Sequence, residues 1–162
     1  AWHDGIGYIF PTPANVRLSL GEQRGSWRKV EEKPHVPDAE VAGKVFLMVF
    51  EHGLRPQGAD YCFLMLPGVK AAAMPEMARR PGVAVVTNTP HVQAMRAARG
   101  DLLQAAFYEP GSLEIRNNRA VAVEQPCLLM LDDSGTTPRV TIADPTQKLA
   151  GRLRYQISAK DK

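Results

Sequence analysis

Val45-Phe46-Leu47-Met48-Val49-Phe50 and Tyr61-Cys62-Phe63-Leu64-Met65-Leu66 are two runs of six residues without a charge between them. Each is far shorter than the ~20 residues of a membrane-spanning helix, and neither alternates as a strand with one wet face does. They read as strands covered on both faces. Gly53, Pro56 and Gly58 fall in the intervening residues 51–60, a surface loop that returns the second strand antiparallel to the first. An antiparallel pair buried on both sides belongs in the middle of a multi-layer sandwich, because a single antiparallel sheet ordinarily leaves one face to water.

The rest of the chain is strand and turn. Asp4-Gly5 makes a turn before a strand over 6–10, which Pro11 and Pro13 end. Residues 16–20 alternate as a half-exposed strand that Gly21 stops; 23–30 form a short strand or ordered loop, and 31–39, with Pro34 and Pro37, are irregular. Pro75 suits the first turn of a short helix that Pro81 terminates, and a domain boundary is expected here, at residues 70/71. Beyond it, strands are expected over 83–87, 102–108, 113–115, 120–123, 127–131, 140–143 and 153–157, the spacing of a small antiparallel sandwich, with 132–138 a hairpin connection.

Composition sets the class. With 44% hydrophobic and 23% charged residues among 162, the chain can bury a core of its own. No transmembrane helix and no membrane partner are expected. Eight Lys/Arg balance eight Asp/Glu over residues 1–70, so the net +3 lies downstream; without a basic block, nucleic acid is not an expected partner. Cys62 and Cys127 sit in apolar runs and read as free thiols, and His3, His35, His52 and His91 lack metal-ligand spacing, so neither metal nor cofactor is expected. Ala1 stands where a Met would open a chain, and no leader pattern follows, so an internal or processed start is expected.

Several blocks resemble the family-eight polysaccharide lyases, the hyaluronate, chondroitin AC and xanthan lyases. They are Trp2 with 4–11, Gly25-Ser26-Trp27, the run from His52-Gly53 through Pro56 and Tyr61 to Leu66-Pro67-Gly68, Thr87-Asn88-Thr89 with Val92-Gln93-Ala94, and Asp144-Pro145-Thr146-Gln147. The five blocks keep the family's order along almost the whole chain. The resemblance implies an all-β fold, with 1–70 ending a central supersandwich and 71–162 forming the small C-terminal sandwich. It also bears on residues 89–100, where Thr89 as N-cap, Pro90 at the first position and Gly100 beyond the end favour a helix. The family pattern there is a strand, 92–96 also alternate, and an isolated helix of about nine residues is marginal. A strand is expected.

The resemblance further implies β-elimination on a uronic-acid polysaccharide of the hyaluronan, chondroitin or xanthan type, outside the cytoplasm, extracellular or periplasmic. In this family the catalytic Asn, His, Tyr and Arg lie on an N-terminal α/α toroid, and this chain has no succession of amphipathic helices to build one. No catalytic residue is therefore expected, and the chain alone should be inactive. A site assembled from Asn88, His91 and Tyr108 is chemically conceivable, since His or Tyr can act as base. Trp27, Arg28 and Arg55 are the candidate carbohydrate-binding residues, because an aromatic face stacks on a sugar and an Arg fork holds a carboxylate. Core packing for Trp27 and plain solvation for the arginines compete with that reading. The alternative for the whole chain is an autonomous carbohydrate-binding or structural β-sandwich module.

Overall fold

A computed structural model of the chain describes residues 1–98, 101–115 and 118–159. It divides into two compact units, Ala1–Gly68 and Val69–Lys162.

The first unit holds five strands, β1 (Trp2–His3), β2 (Ile6–Ile9), β3 (Val16–Gly25), β4 (Val41–Phe50) and β5 (Leu64–Pro67). Asp4 and Gly5, at φ of 45° and 78°, turn β1 into β2 as an Asp-Gly hairpin demands. One sheet runs β1-β2-β5 and a second contains β3 and β4 alone.

Three expectations are corrected here. The two apolar runs do not pair with each other: β4 pairs with β3, from Val16 opposite Phe50 to Gly25 opposite Val41, while β5 pairs with β2. Ten-residue β3 offers β4 a ladder of its own length, whereas only Leu64–Pro67 of the second run is strand. Gly21 does not stop β3, because its backbone keeps its place in that ladder opposite Val45. Nor is β4 covered on both faces within this chain. Paired residues share a face, so Phe46, Met48 and Phe50 point one way and Val45, Leu47 and Val49 the other, and Val45 and Leu47 remain 42% and 47% exposed.

The covered face of β4 meets the other sheet through aromatic rings. Phe46 stacks on His3 and lies against Tyr8, while Phe50 touches Phe10, His52, Tyr61 and Phe63. Gly7, Tyr8 and Ile9 on β2 are the buried strand residues of this unit. The loop 31–39 is irregular, as expected, but not loose. Arg28 donates through Nε and Nη2 to the Val36 carbonyl at 3.2 and 2.9 Å, and Ser26 Oγ donates to Asp38 at 3.0 Å.

The second unit opens with α1 (Met74–Arg79), Pro75 in its first turn and Pro81 beyond its end. Eight strands follow: β6 (Val83–Asn88), β7 (Val92–Ala97), β8 (Leu102–Phe107), β9 (Gly111–Ile115), β10 (Arg119–Val123), β11 (Cys127–Asp132), β12 (Arg139–Ala143) and β13 (Tyr155–Ala159). They form a five-stranded sheet, β12-β11-β8-β7-β6, and a three-stranded sheet, β13-β10-β9. Alternate residues face inward: Leu103, Ala105 and Phe107 on β8, Leu113 and Ile115 on β9, Val121 and Val123 on β10, Cys127, Leu129 and Leu131 on β11. The last strand begins at Tyr155 rather than at 153, although Leu153 still packs on the core.

β7 is a strand, as expected, because β6 and β8 both offer it a ladder that an isolated helix lacks. Thr89 caps no helix. Its hydroxyl accepts from Val92 N at 3.1 Å and donates to Val92 O at 3.0 Å, closing the β6–β7 turn. Arg99 and Gly100, where the competing helix signal would end, lie outside the described residues.

Candidate functional site

Trp27 and Arg28 sit in a single 3-10 turn, Trp27–Lys29, directly after β3. Gly25-Ser26 ends the ladder and releases the chain into this turn. The Trp27 side chain is 62% exposed, so core packing does not account for it. Arg28 folds back onto its own loop: besides Val36 O, Nη2 reaches Pro34 O at 3.4 Å. Its charge faces a depression of about 460 Å³ that Lys29, Glu32, Lys33, Pro34 and Asp38 complete. Arg55 lies elsewhere in the sequence, in the β4–β5 loop, at φ 51° and exposed. Among the described residues it makes no hydrogen bond or ion pair with Trp27 or Arg28, so the structure groups the first two candidates by their shared turn only.

Among the described residues, no polar or charged residue is buried. Burial pushes the thiols of Cys62 and Cys127 up, the Asp60 charge adding to the effect at Cys62, so both free cysteines stay protonated. Hydrogen bonds from the Ser134 side chain and backbone hold Asp132 below the usual carboxylate range. Asp144 is lowered to about 2, first by the Thr146 hydroxyl and then by backbone N–H groups including that of Leu149. These carboxylates remain ionised near neutrality and accept hydrogen bonds within their own turns. Among the described residues, no group of three or more His, Cys, Asp or Glu is placed to hold a metal.

The third set of residues, Asn88, His91 and Tyr108, does come together, at the ends of β6, β7 and β8. Tyr108 Oη donates to Gln93 Oε1 at 2.8 Å, Gln93 Nε2 donates to Asn88 Oδ1 at 3.0 Å, and His91 Nδ1 stands 2.7 Å from Glu109 Oε1. Gln93 entered the sequence reading only as part of a family block and not as a site candidate, and Glu109 was not singled out. Alternation of Gln93 with inward Val92 and Ala94 marks it as outward, but its partner across two strands has no local signal.

Comparison with known proteins places both units. Residues 1–78 match the super-sandwich domain of polysaccharide lyase family 8, and residues 84–151 match that family's C-terminal beta-sandwich domain. The chain belongs to polysaccharide lyase family 8. Chondroitinase-AC of Pedobacter heparinus is 35% identical over 148 residues, an overlap covering 90% of this chain and 20% of that protein. Xanthan lyase of a Bacillus species is 25% identical over 157 residues, covering 94% and 16%, and hyaluronate lyase of Thermasporomyces composti is 27% identical over 142 residues, covering 87% and 17%. The chain thus spans a fifth or less of these family 8 relatives. A solved structure of chondroitinase AC lyase, from a study of enzyme–oligosaccharide complexes, superposes with a TM-score of 0.80 at 28% identity, over 99% of this chain and 25% of that one.

Proposed function

We propose that the chain is the C-terminal β portion of a lyase that degrades an acidic, uronic-acid-containing polysaccharide by β-elimination, and that it supports the substrate cleft without supplying catalytic groups. The observation that carries this is the succession of two family 8 domains in one chain, super-sandwich then β-sandwich, with relatives named for chondroitin, xanthan and hyaluronate. The acid, base and carboxylate-neutralising groups of elimination belong on this reading to an α/α toroid of the same protein, and a polymer substrate places the work outside the cytoplasm.

The uncovered face of β4 favours a piece of a larger sandwich over an autonomous module. A row of Val41, Val45 and Leu47 facing water is costly at ~25 cal/mol per Å² of apolar surface, and a lone two-stranded sheet is marginal. Trp27, Arg28 and Arg55 are the residues proposed to meet the glycan: Trp27 by stacking, the arginines by charge, with Arg28 also shaping the loop that carries the depression.

The test compares the whole protein with the 162-residue chain on hyaluronan, chondroitin and xanthan, following the ultraviolet absorbance of the unsaturated uronate. The whole protein should generate it and the chain alone should not. Product formation by the repurified chain would place catalysis here, and none by the whole protein would remove the lyase reading.

A further inference from the structure

The ladder Asn88, Gln93, Tyr108 lies outside everything assigned above, although two of its members come from blocks that carried the family resemblance. Strand register builds it. Asn88 stands opposite Gln93, Gln93 opposite Ala106, and Ala106 opposite Leu128, forming one row across β6, β7, β8 and β11 on the face away from the core. Tyr108 is two residues beyond Ala106 and therefore on the same side, where the small Ala106 leaves room for its ring beside Gln93.

The row has a definite chemistry. The Tyr108 hydroxyl donates a hydrogen bond to Gln93 Oε1, and Gln93 Nε2 donates one to Asn88 Oδ1. Gln93 Nε2 keeps a second donor and the Tyr108 oxygen keeps its acceptor capacity. Side chains fixed in this way lose little freedom when a ligand arrives. The Tyr108 ring and Leu128 are both about half exposed, which gives the row an apolar end next to its amide end. A pyranose ring has the same division, an apolar C–H face and a hydroxyl edge. At the rim, Tyr108 N donates to His91 O at 2.9 Å and His91 Nδ1 lies 2.7 Å from the Glu109 carboxylate, so the imidazole is engaged by a neighbour rather than offered to an anionic sugar.

We propose that this ladder is a glycan-binding strip on the second unit that takes uncharged sugar residues, such as N-acetylhexosamines. The ligand class rests on the polysaccharide reading above. Recognition by amides and a ring is insensitive to salt, whereas attraction at Trp27 and Arg28 is screened once the Debye length falls to about 3 Å at about 1 M salt.

The experiment is a nuclear magnetic resonance titration of the isotopically labelled chain with chitotetraose, which is neutral, and with a hyaluronan tetrasaccharide, each at low salt and at about 1 M. Side-chain amide signals of Asn88 and Gln93 should shift with both sugars and in both salts. Tyr108→Phe, which keeps the ring, should weaken binding about three- to tenfold, one hydrogen bond's worth, without lowering the melting temperature. Tyr108→Ala should weaken it further. Unchanged affinity in Tyr108→Phe, or loss of the shifts at high salt, would overturn the strip. Shifts confined to the Trp27 indole would overturn it while leaving the polysaccharide reading intact. Silence with both sugars would also overturn it, and the lyase reading would then stand or fall on the absorbance assay of the whole protein.

Discussion

The ring of Phe50, at the end of β4, meets that of Phe10, just past β2, edge to face with centroids 5.8 Å apart and planes at 75°. This contact, with Phe63 at 5.9 Å and Tyr61 at 5.2 Å, fastens the two sheets of the first unit together. Because Phe50 is only partly buried, Phe50→Ala should cost about 2–3 kcal/mol, below the ~3–5 of a fully buried Phe. Phe63→Ala, which loses the contacts to Phe50 and Tyr8, should cost about 2 kcal/mol. Chemical unfolding of the two variants checks the order, and a cost below about 0.5 kcal/mol for Phe50→Ala would mean that the rings are not what joins the sheets.

In the second unit, Arg119 on β10 and Asp133 beyond β11 form an ion pair whose side chains are 25% and 16% exposed. Arg119 Nε is buried without a partner, so the pair is imperfectly satisfied. Removing one member leaves a largely dehydrated charge, and Asp133→Ala should destabilise by about 2–3 kcal/mol. Replacing both by apolar residues, Arg119→Met with Asp133→Leu, should restore most of that loss. A double variant no more stable than Asp133→Ala would assign the effect to the turn, where Asp133 N also donates to Asp101 O.

Asp144 gives a pH signature. Its folded pKa is lowered to about 2 from an ordinary value of 3.8, so the folded state favours the ionised form. The stabilisation is complete above about pH 4 and disappears as pH falls toward 2. Melting temperatures of the parent chain and of Asp144→Asn should therefore differ at pH 6 and converge near pH 2. Curves that stay parallel over this window would show that the hydrogen bonds from Thr146, Lys148 and Leu149 do not depend on the charge.

Exposure of Val45 and Leu47 on the open face of β4 predicts self-association of the isolated chain. Val45→Thr with Leu47→Lys should raise solubility and lower binding of a hydrophobic dye, with a stability change within about 0.5 kcal/mol. In the whole protein the same pair should be strongly destabilising, since that face is expected to be covered there. Equal tolerance in both contexts would count against the multi-layer arrangement.

Local sequence carried much of the second unit. Short apolar runs between turn signals placed strands over 102–108 and 127–131, while the facing of Leu103, Ala105, Phe107, Cys127, Leu129 and Leu131 into the core was read only from the structure, since Cys127 to Leu131 is apolar throughout. Asp4-Gly5 and the Pro75 to Pro81 segment were equally legible, since φ restrictions act within a few residues. The order of five short blocks was enough to name the family.

What only the tertiary structure decided is who pairs with whom. The two apolar runs look like natural partners across a short loop, yet β4 takes β3 across residues 26–40 and β5 takes β2 across most of the unit. A local window reports polarity and period but not the length and position of competing ladders, and so it could not show that Gly21 would lie inside one. The same limit applied to the candidate sites. A short strand and an ordered loop both fitted the residues around Arg28, whose engagement with the Val36 carbonyl was not readable, and Asn88, Gln93 and Tyr108 become neighbours only when three strands fix their register. Burial depends on what lies across a face, and the composition of a strand says that its face wants cover without saying which segment supplies it.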